Sequence, residues 1–146
     1  LITDDVYDGV VIKLSNHFNN ISLLGEDVII AGSGVLDKSL SNFAMQNNLS
    51  GFEFLSSIPG TVGGGIKMNA GCFGSEVSDF FIKGKAVDFY GNLIEFTKEQ
   101  CRFAYRQNNF IKDMIVVEAI FEIHQSTSEK IYTLIKKYQI NSVKHC

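Results

Sequence analysis

The sequence predicts one domain in which strands and helices mix in an α/β or α+β order. Short segments rich in β-branched and aromatic residues recur along the chain, and two other segments repeat apolar residues at helical spacing. A length of 146 residues, with 45% hydrophobic and 20% charged residues, suits one domain with a sizeable core. We therefore expect strands and helices that alternate around a single core.

The predicted strands combine high β propensity with turn residues at their ends. They are residues 10–12, 28–31, 80–88, 93–96 and 114–123. The first two follow Asp8-Gly9 and Glu26-Asp27 and are expected to be buried, while the last three are expected to form a small sheet.

Two helices are predicted. The first covers residues 37–47, where apolar residues recur at helical spacing behind Asp37 as the N-cap. The second follows Ser126, which forms a capping-box pattern with Glu129, and it extends to Asn141. This second helix is expected to close the domain.

The charge balance excludes several classes of partner. Thirteen Lys and Arg residues against sixteen Asp and Glu residues give a net charge of −3, so no broad positive field exists to hold nucleic acid or an anionic membrane. The most apolar run is interrupted by Glu118 and is too short to cross a bilayer, and the N-terminus lacks a signal-peptide pattern. We expect a cytoplasmic protein in which any anion is bound by local geometry.

Glycines are crowded into one short segment. Six of the thirteen lie at positions 60, 63, 64, 65, 71 and 74, directly after the only proline, Pro59. Glycine lets backbone N–H groups approach a bound group closely, and consecutive N–H groups can bind phosphate without lysine or arginine. The alternative is a packing turn where two elements touch, and for a generic glycine cluster the two interpretations are about equally favoured.

Two common nucleotide motifs do not fit. Residues 60–65 have the glycine spacing of a nucleotide triphosphatase loop, but Ile66 stands where lysine is required and Lys67 is one position late. Gly32-Ser33-Gly34 follows a predicted strand, yet Asp37 occupies the third glycine position of a dinucleotide fingerprint. A turn at residues 32–34 and a separate Pro-Gly loop remain, and together they can hold two parts of one large phosphorylated cofactor.

Other signatures of chemistry are weak. The three histidines are scattered and the three cysteines include no Cys-x-x-Cys pair, so no metal site is expected. Arg106 follows Tyr105 in a polar stretch after a predicted strand, and its guanidinium could bind a carboxylate or a phosphate. The local sequence alone favours a surface arginine whose stem packs on Tyr105.

Four segments together resemble a known family. They are Gly51-Phe-Glu-Phe-Leu-Ser-Ser-Ile-Pro-Gly-Thr-Val-Gly-Gly-Gly-Ile-Lys-Met-Asn-Ala-Gly-Cys-Phe-Gly-Ser-Glu76, Asp8-Gly-Val-Val-Ile-Lys-Leu14, Ala31-Gly-Ser-Gly34 and Phe103-Ala-Tyr-Arg106. The long segment resembles the flavin-binding core of the UDP-N-acetylenolpyruvoylglucosamine reductases, and the other three occur in that family's order. The resemblance implies an α+β fold, the FAD-binding lobe of the vanillyl-alcohol oxidase and p-cresol methylhydroxylase type, with a mixed sheet flanked by helices.

The resemblance also implies an activity. In this family FAD takes a hydride from NADPH and passes it to UDP-N-acetylglucosamine enolpyruvate, which gives UDP-N-acetylmuramate for peptidoglycan. By resemblance, Arg106 is the active-site arginine that holds the substrate carboxylate, with Tyr105 as a second substrate contact. The residues expected at the flavin are Ser33, Gly34, Ile58, Pro59, Gly60, Thr61, Gly63, Gly64, Asn69, Ala70, Gly71 and Gly74.

The chain also departs from the family pattern. The family's Gly-Ser-Asn turn lies upstream of the position matched by Leu1, and its serine proton donor and catalytic glutamate lie downstream of the position matched by Cys146. We therefore expect a central fragment that is inactive alone, with an FAD lobe at residues 1–125 and a closing helix and linker at residues 126–146. A monomeric parent protein and self-association of the fragment are expected.

Two alternatives stay open. The first is another FAD-dependent oxidoreductase of the same fold that acts on a different substrate. The second is a non-enzymatic nucleotide-binding module that retains the glycine-rich loop.

Overall fold

The computed structural model of the chain describes residues 6–145. Its strands are β1 (Ile21–Leu24), β2 (Val28–Gly32), β3 (Leu49–Ser50), β4 (Gly71–Cys72), β5 (Ser75–Glu76), β6 (Phe81–Asp88), β7 (Leu93–Thr97), β8 (Met114–Glu122) and β9 (His124–Gln125). Its α-helices are α1 (Asp37–Gln46), α2 (Val62–Met68), α3 (Val77–Phe80), α4 (Lys98–Cys101) and α5 (Ser128–His145). Two short 3-10 helices lie at Asn16–Phe18 and Glu53–Ser57.

Five strands form the main sheet in the order β1-β2-β8-β6-β7. Each neighbouring pair runs antiparallel, where mixed directions were expected. The register of β2 and β8 places Ile29 opposite Phe121 and Ala31 opposite Ala119, and all four residues are buried. Because alternate residues of a strand point to the same face, these four define the core face of the sheet. The α+β class implied by the family resemblance is confirmed.

Helices cover the core face. Helix α2 packs on β8, while α1 and α5 pack on the 3-10 helix Glu53–Ser57. Five of the twelve phenylalanines are fully buried, at positions 52, 54, 81, 96 and 121. Phe52 and Phe121 meet edge-to-face with ring centroids 5.2 Å apart, which is a favourable aromatic geometry. These five phenylalanines therefore build the core.

The predicted strand at residues 10–12 is wrong. Val10, Val11 and Ile12 are 84%, 86% and 61% exposed, and no regular element is described there. An apolar run becomes a strand only when a neighbouring strand accepts its backbone hydrogen bonds. The described main sheet ends at β1, so this run has no partner in it.

Both predicted helices form, with different starts. Leu36 occupies the N-cap of α1, and Asp37 is the first helical residue rather than the cap. Helix α5 begins at Ser128, whose N–H and hydroxyl both donate to Asn48 Oδ1, at 3.0 and 2.6 Å. A long-range partner therefore holds the start of α5, whereas the sequence suggested a local capping box at Ser126.

No helix within residues 6–145 combines the length and the apolar character that a bilayer crossing needs. Within residues 6–145, no cluster of three or more His, Cys, Asp or Glu side chains could hold a metal ion.

Candidate functional site

The glycine-rich loop lies against the Gly-Ser-Gly turn that follows β2. Gly63 N–H donates to the Ser33 carbonyl at 2.9 Å, and Asp37 N–H donates to the Gly60 carbonyl at 3.1 Å. These bonds join the loop and the first turn of α2 to the turn and to the start of α1. Two regions that the sequence suggested as parts of one site are therefore adjacent.

Packing explains Gly63 and Gly71 among the crowded glycines, since a Cβ added at Gly71 would lie 2.8 Å from both the Glu76 Cβ and the Ser75 carbonyl oxygen. A Cβ added at Gly63 would lie 2.9 Å from the Ser33 Cβ and 3.2 Å from the Ser33 carbonyl oxygen. At Gly64 the nearest atom to an added Cβ would be Thr61 Oγ1, at 3.7 Å, and this residue is exposed. The close-packing alternative accounts for Gly63 and Gly71, whereas Gly64 faces open space.

Some backbone amides of the site are already bonded within the protein. Ser33 N–H donates to the Val117 carbonyl at 3.0 Å, and Gly34 N–H donates to the Phe18 carbonyl at 2.9 Å. In the loop and the first turn of α2, the N–H groups without an acceptor among the described residues are those of Gly60, Thr61 and Gly64. The loop therefore retains free backbone N–H groups, whereas the N–H groups of the turn donate to carbonyls within the protein.

Two buried oxygen-bearing groups face this region. The Ser33 hydroxyl is buried and has no hydrogen-bond partner within the described residues. The Asp37 side chain is 2% exposed, and its Oδ2 would lie 2.8 Å from a Cβ added at Gly60. Burial raises the pKa of the Asp37 carboxyl from 3.8 to about 6. The loop therefore lies against the buried carboxyl group of Asp37.

The remaining residues of the loop differ in exposure. Ile58 is half-buried and packs against the core, while Pro59 is exposed. The apolar Ile58 side chain thus anchors the loop, and Pro59 presents the turn to solvent.

A second group of predicted site residues lines one cavity of about 400 Å³ at the other end of α2. The predicted residues in its wall are Asn69, Gly71, Gly74, Tyr105 and Arg106. The wall also contains Cys72, Ser75, Glu76 and Asp79. Ala70, which was predicted with this group, is buried beside the cavity and is not part of its wall.

Arg106 lies on a tight turn at the mouth of this cavity. Ala104 and Gln107 exchange two backbone hydrogen bonds, at 3.0 and 3.1 Å, and enclose Tyr105 and Arg106. Arg106 has a φ of 54°, which is unfavourable for a side-chain-bearing residue. Its guanidinium carbon is 5.8 Å from the centre of the Tyr105 ring. The stacking expected of a surface arginine is therefore present on a residue that also faces a cavity.

The two groups of site residues lie at opposite ends of one short helix. A helix of seven residues such as α2 is about 10 Å long. The loop group precedes this helix and the cavity group follows it. A ligand that contacts both groups must therefore be an extended molecule.

Sequence reasoning missed several polar residues of the site. The sequence suggests Asp37 as a helix cap, but Asp37 is the first helical residue of α1 and is buried. Glu76 and Asp79 reach the cavity because they form a capping box around α3. Glu76 is the last residue of the segment that resembles the reductase family, and this position could have indicated that it belongs to the site.

Comparisons with known proteins support a flavin site. The FAD binding domain family matches residues 1–97. A UDP-N-acetylenolpyruvoylglucosamine reductase of Pelagibacter ubique is 49% identical over 131 residues, which is 90% of this chain and 43% of that protein. The enzyme of the same name from Rickettsia canadensis is 42% identical over 144 residues, which is 99% of this chain and 48% of that protein.

A solved structure is similar to the fold described above. The crystal structure of UDP-N-acetylenolpyruvylglucosamine reductase from Thermus caldophilus superposes with a TM-score of 0.76 at 28% sequence identity. The superposition covers 86% of this chain and 45% of that protein. The chain thus spans less than half of the length of the relatives it matches.

Proposed function

Since this chain belongs to the FAD binding domain family, we propose that the loop at residues 58–64 and the turn at residues 32–34 hold FAD. The free N–H groups of Gly60, Thr61 and Gly64 carry this proposal, because they can donate to the oxygen atoms of a phosphate or of a flavin ring. The buried Ser33 hydroxyl has no partner among the described residues, and a polar cofactor could form the missing hydrogen bond.

The groups present suit FAD in shape and chemistry. FAD is long, and the two groups of candidate residues lie about 10 Å apart along α2. No lysine or arginine is needed at the loop if backbone amides hold the anion, which agrees with the net charge of −3. We infer from this fit that Ile58, Pro59 and Gly60 line one part of the cofactor, and that Gly71 and Gly74 line another.

We propose that the full-length gene product reduces UDP-N-acetylglucosamine enolpyruvate in the cytoplasm with NADPH as the electron donor. Bound FAD would supply the transfer of a hydride from NADPH to the enolpyruvyl double bond. Similarity to reductases that are 42% and 49% identical to this chain over the aligned residues supports the proposal. In the same proposal, residues 1–125 form the FAD lobe and residues 126–146 form the closing helix and linker.

Arg106 has the chemistry needed at the substrate. A guanidinium presents a planar pair of donors that can bind both oxygens of a carboxylate. It would hold the enolpyruvyl carboxylate and stabilise the negative charge that develops beside it when hydride adds. Tyr105, which is 86% exposed, would provide a second contact.

The decisive experiment uses Gly64→Leu in the full-length gene product. A Cβ added at this exposed position meets only Thr61 Oγ1, at 3.7 Å, and replacing a helical glycine with a better helix former stabilises the fold by roughly 0.5–1 kcal/mol. The same side chain would obstruct a cofactor at the loop. We expect an unchanged or higher melting temperature together with at least a tenfold weaker affinity for FAD, measured by quenching of flavin fluorescence.

Asn42→Leu is the matched control, since it adds the same side chain at an exposed position of α1 and should leave FAD affinity unchanged. Unaltered FAD affinity in Gly64→Leu would refute the placement of the cofactor. A gene product that binds no FAD would refute the proposed function. Binding of FAD without reduction of the UDP-sugar would instead indicate a flavoprotein with another substrate.

A further inference from the structure

The segment that carries Arg106 depends on α2 for its position. Residues 102–113 connect α4 to β8 without a helix or a named strand. Lys67 Nζ donates to the carbonyls of Ile111 and Lys112 at 2.5 and 2.7 Å, and Asn108 Nδ2 donates to the Ile66 carbonyl at 3.3 Å. The last turn of α2 is therefore bonded to this segment at several points.

Asn69 makes the link that lies nearest to Arg106. Asn69 follows α2 at its C-cap and is 1% exposed. Its Nδ2 donates to the Ala104 carbonyl at 3.2 Å, and its Oδ1 accepts the Ser78 N–H at 3.0 Å. Ala104 opens the turn that encloses Arg106, and Ser78 belongs to α3. One buried amide thus fixes the Arg106 turn relative to the helix on the other side of the cavity.

We propose that Asn69 is a positioning residue for Arg106. Both ends of its side chain are already bonded within the protein, so it acts on the substrate carboxylate through the turn. Arg106 is exposed and its side chain is long, so the direction of its guanidinium depends on how firmly the backbone of the turn is held. Misplacement of a substrate-orienting group by about 1 Å can slow a reaction about a hundredfold.

Asparagine is suited to this position for two reasons. Its φ of 43° lies in the left-handed region, which asparagine and glycine tolerate better than other residues. Its amide also provides a donor and an acceptor in one plane, as the Ala104 carbonyl and the Ser78 N–H require. Asn69→Gly keeps the backbone conformation while removing both hydrogen bonds, and Asn69→Asp keeps the acceptor while removing the donor.

The test is a double-mutant cycle in the full-length gene product, and it rests on the proposed function. We expect Asn69→Gly to slow reoxidation of the reduced flavin by the enolpyruvyl substrate about tenfold or more. Flavin reduction by NADPH does not involve the enolpyruvyl carboxylate and should slow far less than this reoxidation. In an Arg106→Met background, Asn69→Gly should change reoxidation less than twofold, because its effect passes through Arg106.

Leu40→Ala is the control for general destabilisation, since this core residue is 1% exposed and lies on α1. Its effect should add to that of Arg106→Met. Additive effects of Asn69→Gly and Arg106→Met would overturn the proposal, as would a large loss of FAD affinity in Asn69→Gly.

A second measurement is independent of the flavin. Without any cofactor, nuclear magnetic resonance order parameters of the Tyr105, Arg106 and Gln107 amides should fall in both Asn69→Asp and Asn69→Gly. Unchanged order parameters would show that Asn69 does not hold the turn, whether or not the protein proves to be a reductase. If the protein is not a reductase but Asn69 holds the turn, the order parameters should still fall.

Discussion

Replacing Arg106 with methionine in the full-length gene product is expected to lower turnover of UDP-N-acetylglucosamine enolpyruvate by about 10²–10³-fold. Removal of one group that stabilises developing charge typically has an effect of this size. Methionine retains an unbranched side chain. A φ of 54° is as unfavourable for methionine as it is for arginine. The loss of turnover should therefore measure the contribution of the guanidinium group. Flavin reduction by NADPH, followed in a stopped-flow instrument, should continue at nearly the original rate.

Arg102 provides a matched control for this prediction. It is also an exposed arginine with a positive φ, of 44°, but it lines a different cavity with Glu99, Gln100, Asn109 and Phe110. Arg102→Met should keep turnover within about threefold. Arg106→Lys should retain part of the activity, because lysine keeps the charge but lacks the planar pair of donors. Full turnover in Arg106→Met would exclude Arg106 as the substrate-binding arginine.

Replacing Asp37 with asparagine is expected to stabilise the fold at neutral pH by about 2 kcal/mol. Burial raises the pKa of this carboxyl from 3.8 to about 6, and such a shift corresponds to roughly 3 kcal/mol. Asparagine loses the favourable interaction of a carboxylate with the N-terminus of α1, which is worth about 0.3–1 kcal/mol. The desolvation of the charge is the larger effect, so the substitution should be stabilising.

The sign of the pH dependence provides the test. A raised carboxyl pKa means that the folded state binds the proton more tightly than the unfolded state. The stability of the native protein should therefore fall between about pH 4 and pH 6 relative to Asp37→Asn, and the difference should stay constant above pH 7. Urea unfolding of both proteins across this range measures the difference in their free energies of unfolding. The contributions of the other titrating groups cancel in this difference. A difference that is independent of pH would contradict the burial of an ionised Asp37.

Much of the fold could be predicted because one face of each central element is buried. β propensity and turn residues predicted β2, β6, β7 and β8, and the helical spacing of apolar residues predicted α1 and α5, within a few residues of their ends. The run at residues 10–12 has the same composition but no partner in the described sheet. Local sequence reports the propensity of a segment, whereas a strand also needs a neighbour.

The candidate site was predictable in its glycines and less so in its polar groups. Crowding of glycine around Pro59 marked the loop, but which amides stay free depends on distant acceptors such as the Phe18 and Val117 carbonyls. Asn69 and Ala104 are 35 residues apart, so no local pattern links them. Asp37 looked like a cap because aspartate is common there, and only the tertiary structure shows that it is buried.

The three consecutive glycines of α2 also affect the motions of the chain. Each of Gly63, Gly64 and Gly65 disfavours the helix by about 1 kcal/mol relative to alanine, and the helix has only seven residues. Packing on β8 and contacts at its two ends, rather than its own propensity, must keep it formed. Its amide hydrogens should therefore exchange with solvent earlier than those of β8, and a bound flavin should slow their exchange by closing the local opening.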